Sequence, residues 1–101
     1  KAIHPFVGVQ LADLTPDIAS QLGVKAQSGA IVVSVVSGGP ADKAGIMEGD
    51  VITGVDGKSV NTVEDFVGAL ASHQPGDVIT ITILRGDATR QVKVTLSEQP
   101  G

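Results

Sequence analysis

The stretch that decides the fold is Ser37-Gly-Gly-Pro-Ala-Asp-Lys-Ala-Gly-Ile-Met-Glu-Gly-Asp-Val-Ile-Thr-Gly-Val-Asp-Gly-Lys58. It packs several backbone signals into one short span. Pro40 suits the first position of a short helix, because its fixed φ is helical and its missing N–H has no intrahelical partner there. Gly45 suits the left-handed residue that ends such a helix. Gly49-Asp50 then opens the apolar strand Val51-Ile-Thr-Gly-Val55, which breaks at an Asp56-Gly57 turn.

Working outward, both flanks show equally clear elements. Phe6-Val-Gly-Val-Gln-Leu11 reads as a short apolar strand carrying one glycine. Thr15-Pro16-Asp17 reads as an N-cap, a first-turn proline and a first-turn acid, starting a helix that stops at Gly23. Ala30–Val36 is a nearly unbroken β-branched run, the pattern of a strand buried on both faces. Asn61-Thr62 caps a second main helix, with Glu64 and Asp65 at its positive end. That helix is expected to run to about Ser72, ahead of Pro75-Gly76. Residues 77–84 alternate, with Ile79, Ile81 and Ile83 inward and Thr80 and Thr82 outward. Residues 90–96 do the same with Val92, Val94 and Leu96, and the two form a hairpin around Gly86-Asp87-Ala88. Ser97–Gly101 reads as a tail.

Composition bounds the class. At 101 residues the chain is long enough for one domain with a modest core. Aromatics make up 2%, both Phe, so that core must be aliphatic. A net charge of -4 without any Lys/Arg run argues against nucleic acid as a partner. No apolar stretch approaches the roughly 20 residues of a membrane span, so no membrane insertion is expected of this segment. There are no cysteines, which excludes disulfides and thiolate metal sites. The chain starts at Lys1 without a signal-peptide pattern, and the expectation is a piece of a longer protein.

The central stretch resembles the PDZ-domain signature in its bacterial form, "GSPAAKAGLKPGDVI-x-x-VNGK". The opening Phe6-Val-Gly-Val-Gln-Leu11, with Leu14-Thr15-Pro16, Ala19 and Leu22-Gly23, is similar to the start of PDZ domains in bacterial HtrA/DegP-type serine proteases. There the order of elements is permuted and the module ends with a Leu-Arg-Gly turn, here Leu84-Arg85-Gly86. One departure is Phe6, where the family often has Tyr. The resemblance implies a single α+β domain over residues 1–101, with its core at about 5–96. Its expected form is a small, partly open antiparallel barrel or sandwich of five to six strands with two main helices.

A peptide carboxylate needs several N–H donors converging on one point, and an inward-facing turn of successive amides makes such a nest. Gly8, without a Cβ, allows both a sharp turn and close approach of a ligand backbone. By the family pattern, the amides of Val7, Gly8 and Val9 hold the carboxylate, and the ligand adds a strand along Val9 to Leu11. On the second main helix, Val63, Val67 and Leu70 form one stripe, and Phe66, Ala69 and His73 the adjacent one. Periodicity does not say which stripe faces the core. The family pattern assigns Val63, Val67 and Leu70 to the groove, together with Phe6, Gln10 and Leu11. Val63 stands where relatives that select Ser or Thr two residues before the ligand's end carry a His.

Catalytic signals are weak. Ser37-Gly38-Gly39-Pro40 resembles the tail of a trypsin-like nucleophile motif, but Val35-Val36 precede it and no paired His and Asp are recognisable. Gly57-Lys58-Ser59 lacks the earlier glycine of a phosphate-binding loop. Arg85-Gly86-Asp87 is explained by a hairpin turn. His4 and His73 show no carboxylate at ligand spacing, so no metal or other cofactor is expected. His4, just before the loop, is a candidate neighbour of a bound carboxylate.

The resemblance therefore implies a non-catalytic, extracytoplasmic peptide-binding module in protein quality control. It would grip C-terminal or extended apolar segments of unfolded or partner proteins and regulate the protease domain of its own chain. The alternative is a docking or gating module of another parent: a membrane metalloprotease, a C-terminal processing protease or a secretion component.

Overall fold

The computed structural model describes residues 5–98; of Pro5, Phe6 and Glu98 it describes the backbone. The central signals behave as their chemistry dictates. Helix α2 spans Pro40–Ala44 and closes on Gly45 at φ 91°, whose N–H returns to carbonyls of the helix. Strand β4 spans Val51–Val55. Asp56 and Gly57 both take positive φ, at 51° and 83°. That is the backbone a tight hairpin needs, and it joins β4 to the two-residue strand β5, Lys58–Ser59.

The N-terminal run does not form one strand. Strand β1 is only Pro5–Phe6, strand β2 is Val9–Asp13, and the chain turns between them. The break falls at Gly8, whose φ of 84° is closed to most side chains. Helix α1, Pro16–Leu22, starts on the Thr15 cap and ends on Gly23 as expected. Helix α3, Val63–Leu70, starts on Thr62 and ends short of Ser72. Strand β3 spans Ala30–Val35, and strands β6, Val78–Arg85, and β7, Ala88–Thr95, form the expected hairpin. Ser97 and Glu98, expected as tail, instead make β8 and pair with β1.

Strands β2 to β7 build one six-stranded antiparallel sheet in the order β2-β3-β4-β6-β7, with β5 against β4. Its main core is aliphatic around one ring, with Val32, Ile52, Val55, Phe66, Ile79, Ile81, Ile83, Val94 and Leu96 all buried. Under α1 lies a smaller cluster of Leu14, Ala19, Ile31 and Val51. These two clusters explain why β3 and β4 are buried on both faces in their shared segment. The expectation of two-sided burial fails beyond Val32. The register with β2 shifts so that Leu11 pairs with Val32 and Gln10 with Ser34. Val33 is left as a bulged residue and is 52% exposed.

One polar pair is built into this apolar frame. Asp50, 1% exposed, accepts from Arg85 Nε and Nη2, both at 2.8 Å, and from the Met47 N–H at 2.9 Å. Arg85 Nη2 also donates to the Gly45 carbonyl at 2.9 Å. The carboxylate holds the guanidinium above its ordinary pKa range. Thus the acid opening the Gly49-Asp50 strand and the arginine of the Leu-Arg-Gly turn are two halves of one bidentate contact.

Candidate functional site

The turn at Val7–Gly8 is fixed from behind by the Ser37–Lys58 stretch. Ala41 N–H donates to the Val7 carbonyl and Val36 N–H donates to the Gly8 carbonyl, each at 2.8 Å. No peptide bond is cis among the described residues. A trans peptide holds its C=O and N–H on opposite sides, so anchoring these two carbonyls inward turns the N–H groups of Gly8 and Val9 outward. Among the described residues, nothing accepts from the N–H of Val7 or Gly8. Val7 itself is buried, at 4% exposure, and its side chain belongs to the core.

The same alternation governs β2. Val9, Leu11 and Asp13 face Val35, Val32 and Ala30, bracketed by bonds from Val36 N–H to Gly8 O and from Leu14 N–H to Gly29 O. These are non-hydrogen-bonded pairs, so the N–H and C=O of Val9, Leu11 and Asp13 point to the open side of the strand. β2 is the edge of its sheet, and α3 packs beside it. An apolar wall therefore faces an unpaired edge. Val9, Leu11, Val63 and Leu70 are half-buried against the core, while Val67 is 56% exposed. Phe66 is the residue that anchors α3, at 2% exposure.

Of the residues named from the sequence, the structure brings Gly8, Val9 and Leu11 to one side with the Val63, Val67 and Leu70 stripe. Gln10 goes to the other face of β2, where its Oε1 accepts from Ser34 Oγ at 3.1 Å. The Phe6 side chain and His4 lie outside the described residues. A separate pocket of about 480 Å³ lies behind the Gly8 turn, lined by Val36–Pro40, Lys43 and Thr95–Ser97. None of its lining residues belongs to β2 or α3.

His73 corrects the sequence reading, because it does have carboxylates in reach. Its Nε2 is 3.1 Å from Asp56 Oδ2 and its Nδ1 is 3.2 Å from Asp77 Oδ2. Only an imidazolium can donate to both at once. The contact ties the end of α3, where His73 N–H bonds the Leu70 carbonyl, to the β4–β5 turn. The Gln74 N–H, and after it His73, hold the Asp77 carboxyl below its usual value. A depressed carboxylate contributes stability above its unfolded value, near pH 4, and loses it as pH falls through the lower folded value. Asp77→Asn should therefore flatten the fall in urea midpoint between about pH 5 and pH 3. An unchanged slope would show that Asp77 is not linked to folding.

With this geometry in view, the comparisons assign the class. A family model described as "PDZ domain" matches residues 5–96, and the chain belongs to that family. Within it, the similarity runs to HtrA-type proteases. The chain is 40% identical over 95 residues to a "Probable periplasmic serine endoprotease DegP-like" of Brucella suis biovar 1, covering 94% of this chain and 18% of that protein. It superposes on the "HtrA-type protease AlgW with decapeptide" with a TM-score of 0.89 at 29% identity, covering 98% of this chain and 30% of that one. The fold is also that of the HtrA3 PDZ domain bound to a phage-derived ligand, FGRWV, with a TM-score of 0.83 at 20% identity, covering 97% of this chain and 89% of that one. The chain thus spans about a fifth of the curated relative it matches.

Proposed function

We propose that this domain grips C-terminal or extended apolar segments of unfolded or partner proteins as an added strand on β2. In this reading it is the substrate-recognition and regulatory domain of an HtrA-type serine protease, working outside the cytoplasm. The observation that carries the reading is the outward aim of the Gly8 and Val9 amides at the head of an open strand edge. Those amides, with that of Val7, receive the terminal carboxylate. Val9 to Leu11 pair with the ligand backbone, and Val63, Val67 and Leu70 take its apolar side chains. The domain itself is read as non-catalytic: Ser37 sits in the turn before α2, and His73 is engaged by Asp56 and Asp77.

Calorimetry with matched peptides tests this. A short peptide ending in a free Val should bind with a Kd around 1 μM, about -8 kcal/mol. Hydrogen bonds to a charged group are worth about 1.5–3 kcal/mol, so amidating the same peptide should weaken binding roughly 10- to 100-fold. Equal affinity for both forms would refute the carboxylate nest and leave internal strand addition as the better description.

A further inference from the structure

We propose that Asp13 is a positioning residue that pins α3 to β2 and thereby sets the width and the far limit of the groove. The proposal rests on the peptide-binding reading above and adds a residue that the family pattern did not supply. Val63 N–H donates to Asp13 Oδ1 at 2.8 Å, a direct bond between residues 50 apart in sequence. Val63 is the first residue of α3, and Asp13 is the last of β2. The bond therefore joins the two facing elements at the end of β2 opposite the Gly8 turn.

Helix α3 does not need this bond in order to start. Thr62 Oγ1 already accepts from Asp65 N–H at 3.1 Å, and Asp65 Oδ2 accepts from Asn61 N–H at 3.0 Å. These two bonds form a variant of the capping box, in which Asp65 reaches back to the residue before the cap. The first-turn amide of Val63 could be left to water at little cost, since it has no intrahelical partner. Asp13 instead takes it from across the groove.

The distance sets the consequence. An aspartate oxygen lies three bonds beyond its Cα, so the tie holds the Asp13 Cα within roughly 6–7 Å of the Val63 nitrogen. A strand added to β2 would have to lie about 4.8 Å away. That leaves no room for a third backbone between Asp13 and Val63. The open edge available to a ligand is then the stretch from Val9 to Leu11, bounded by the Gly8 turn at one end and by Asp13 at the other. A ligand residue advances about 3.3 Å along a strand, so Val9 to Leu11 faces about three ligand residues, and with one more opposite Ala12 the groove takes about four before the chain must rise into solvent.

The test is a length series: peptides of three, four, five, six and eight residues sharing one apolar C-terminus, measured by calorimetry on the wild type, Asp13→Ala and Asp13→Asn. In the wild type, affinity should rise to four or five residues and then stay within about twofold. Asp13→Ala should weaken the three-residue peptide by about fivefold, and affinity should go on rising to eight residues. Asp13→Asn keeps an oxygen acceptor and should restore the wild-type profile. Exchange of the Val63 amide proton reports the tie without ligand; it should speed up in Asp13→Ala and not in Asp13→Asn. Wild-type affinity that climbs through eight residues, or an Asp13→Ala profile unchanged from wild type, overturns the role of Asp13 while leaving the groove intact. Failure of every peptide to bind wild type would instead overturn the peptide-binding reading, and this inference with it.

Discussion

Replacing Arg85 with Met should cost the domain about 4–5 kcal/mol, close to the upper end for a broken buried ion pair. The reason lies in which partner is left behind. Asp50 is only 2% exposed in its side chain, so with the guanidinium gone its carboxylate is left largely buried without its ion-pair partner. The Met47 N–H alone would then have to support a buried charge. The reverse change, Asp50→Ala, should cost less, about 3 kcal/mol, because the Arg85 side chain is 35% exposed and its cation can turn to solvent. The double variant Asp50→Ala/Arg85→Met should lose clearly less than the sum, since neither partner is then stranded. Urea denaturation of the four proteins gives all three values. For a domain of this size each kcal/mol moves Tm by about 4–8 °C, so the single variants separate readily. Costs below about 1 kcal/mol for both singles would show that the pair is decorative.

That pair also shows where sequence reading stops. Short-range features were open to it: the Pro40 and Gly45 limits of α2, the Thr15 and Thr62 caps, and the Ile79, Ile81 and Ile83 face of β6 all follow from a few neighbouring residues. The contacts it missed are those made by strand register and by the placing of α3. Asp50 meets Arg85 35 residues away, His73 meets Asp56, and Val63 meets Asp13. None of these has a spacing that marks it in advance. Asp77 is the exception, since it stands four residues after His73, and that spacing was a usable signal. The turn at Gly8 was half legible. The glycine announced an unusual backbone, but which way its amides face depends on bonds from Val36 and Ala41, on other elements. The outer half of β3 misled because a β-branched run carries no mark of the bulge that exposes Val33.

The second large effect concerns ligand choice two residues before the end. An added strand on β2 alternates its side chains, so the last and third-from-last residues point to the same side, toward α3. In the proposed groove the third-from-last meets Val63, a half-buried apolar side chain that, like Val9 and Leu11, packs on the core. A hydroxyl buried there without a partner would cost about 1–3 kcal/mol. An apolar side chain of the same shape avoids that cost and removes its surface from water. Two peptides that differ only in Val or Thr at this position should therefore differ about 10-fold or more in Kd, with Val the tighter, since each 1.4 kcal/mol is about tenfold. Val63→His supplies a donor and acceptor at the same helix position and should shrink or reverse the preference. If wild type binds the Thr peptide as well as the Val peptide, and Val63→His leaves that ratio unchanged, Val63 does not line the groove. If the preference follows Val63, the domain selects ends that are apolar at alternate positions. Folded proteins bury such segments, which makes their exposure a sign of an unfolded chain.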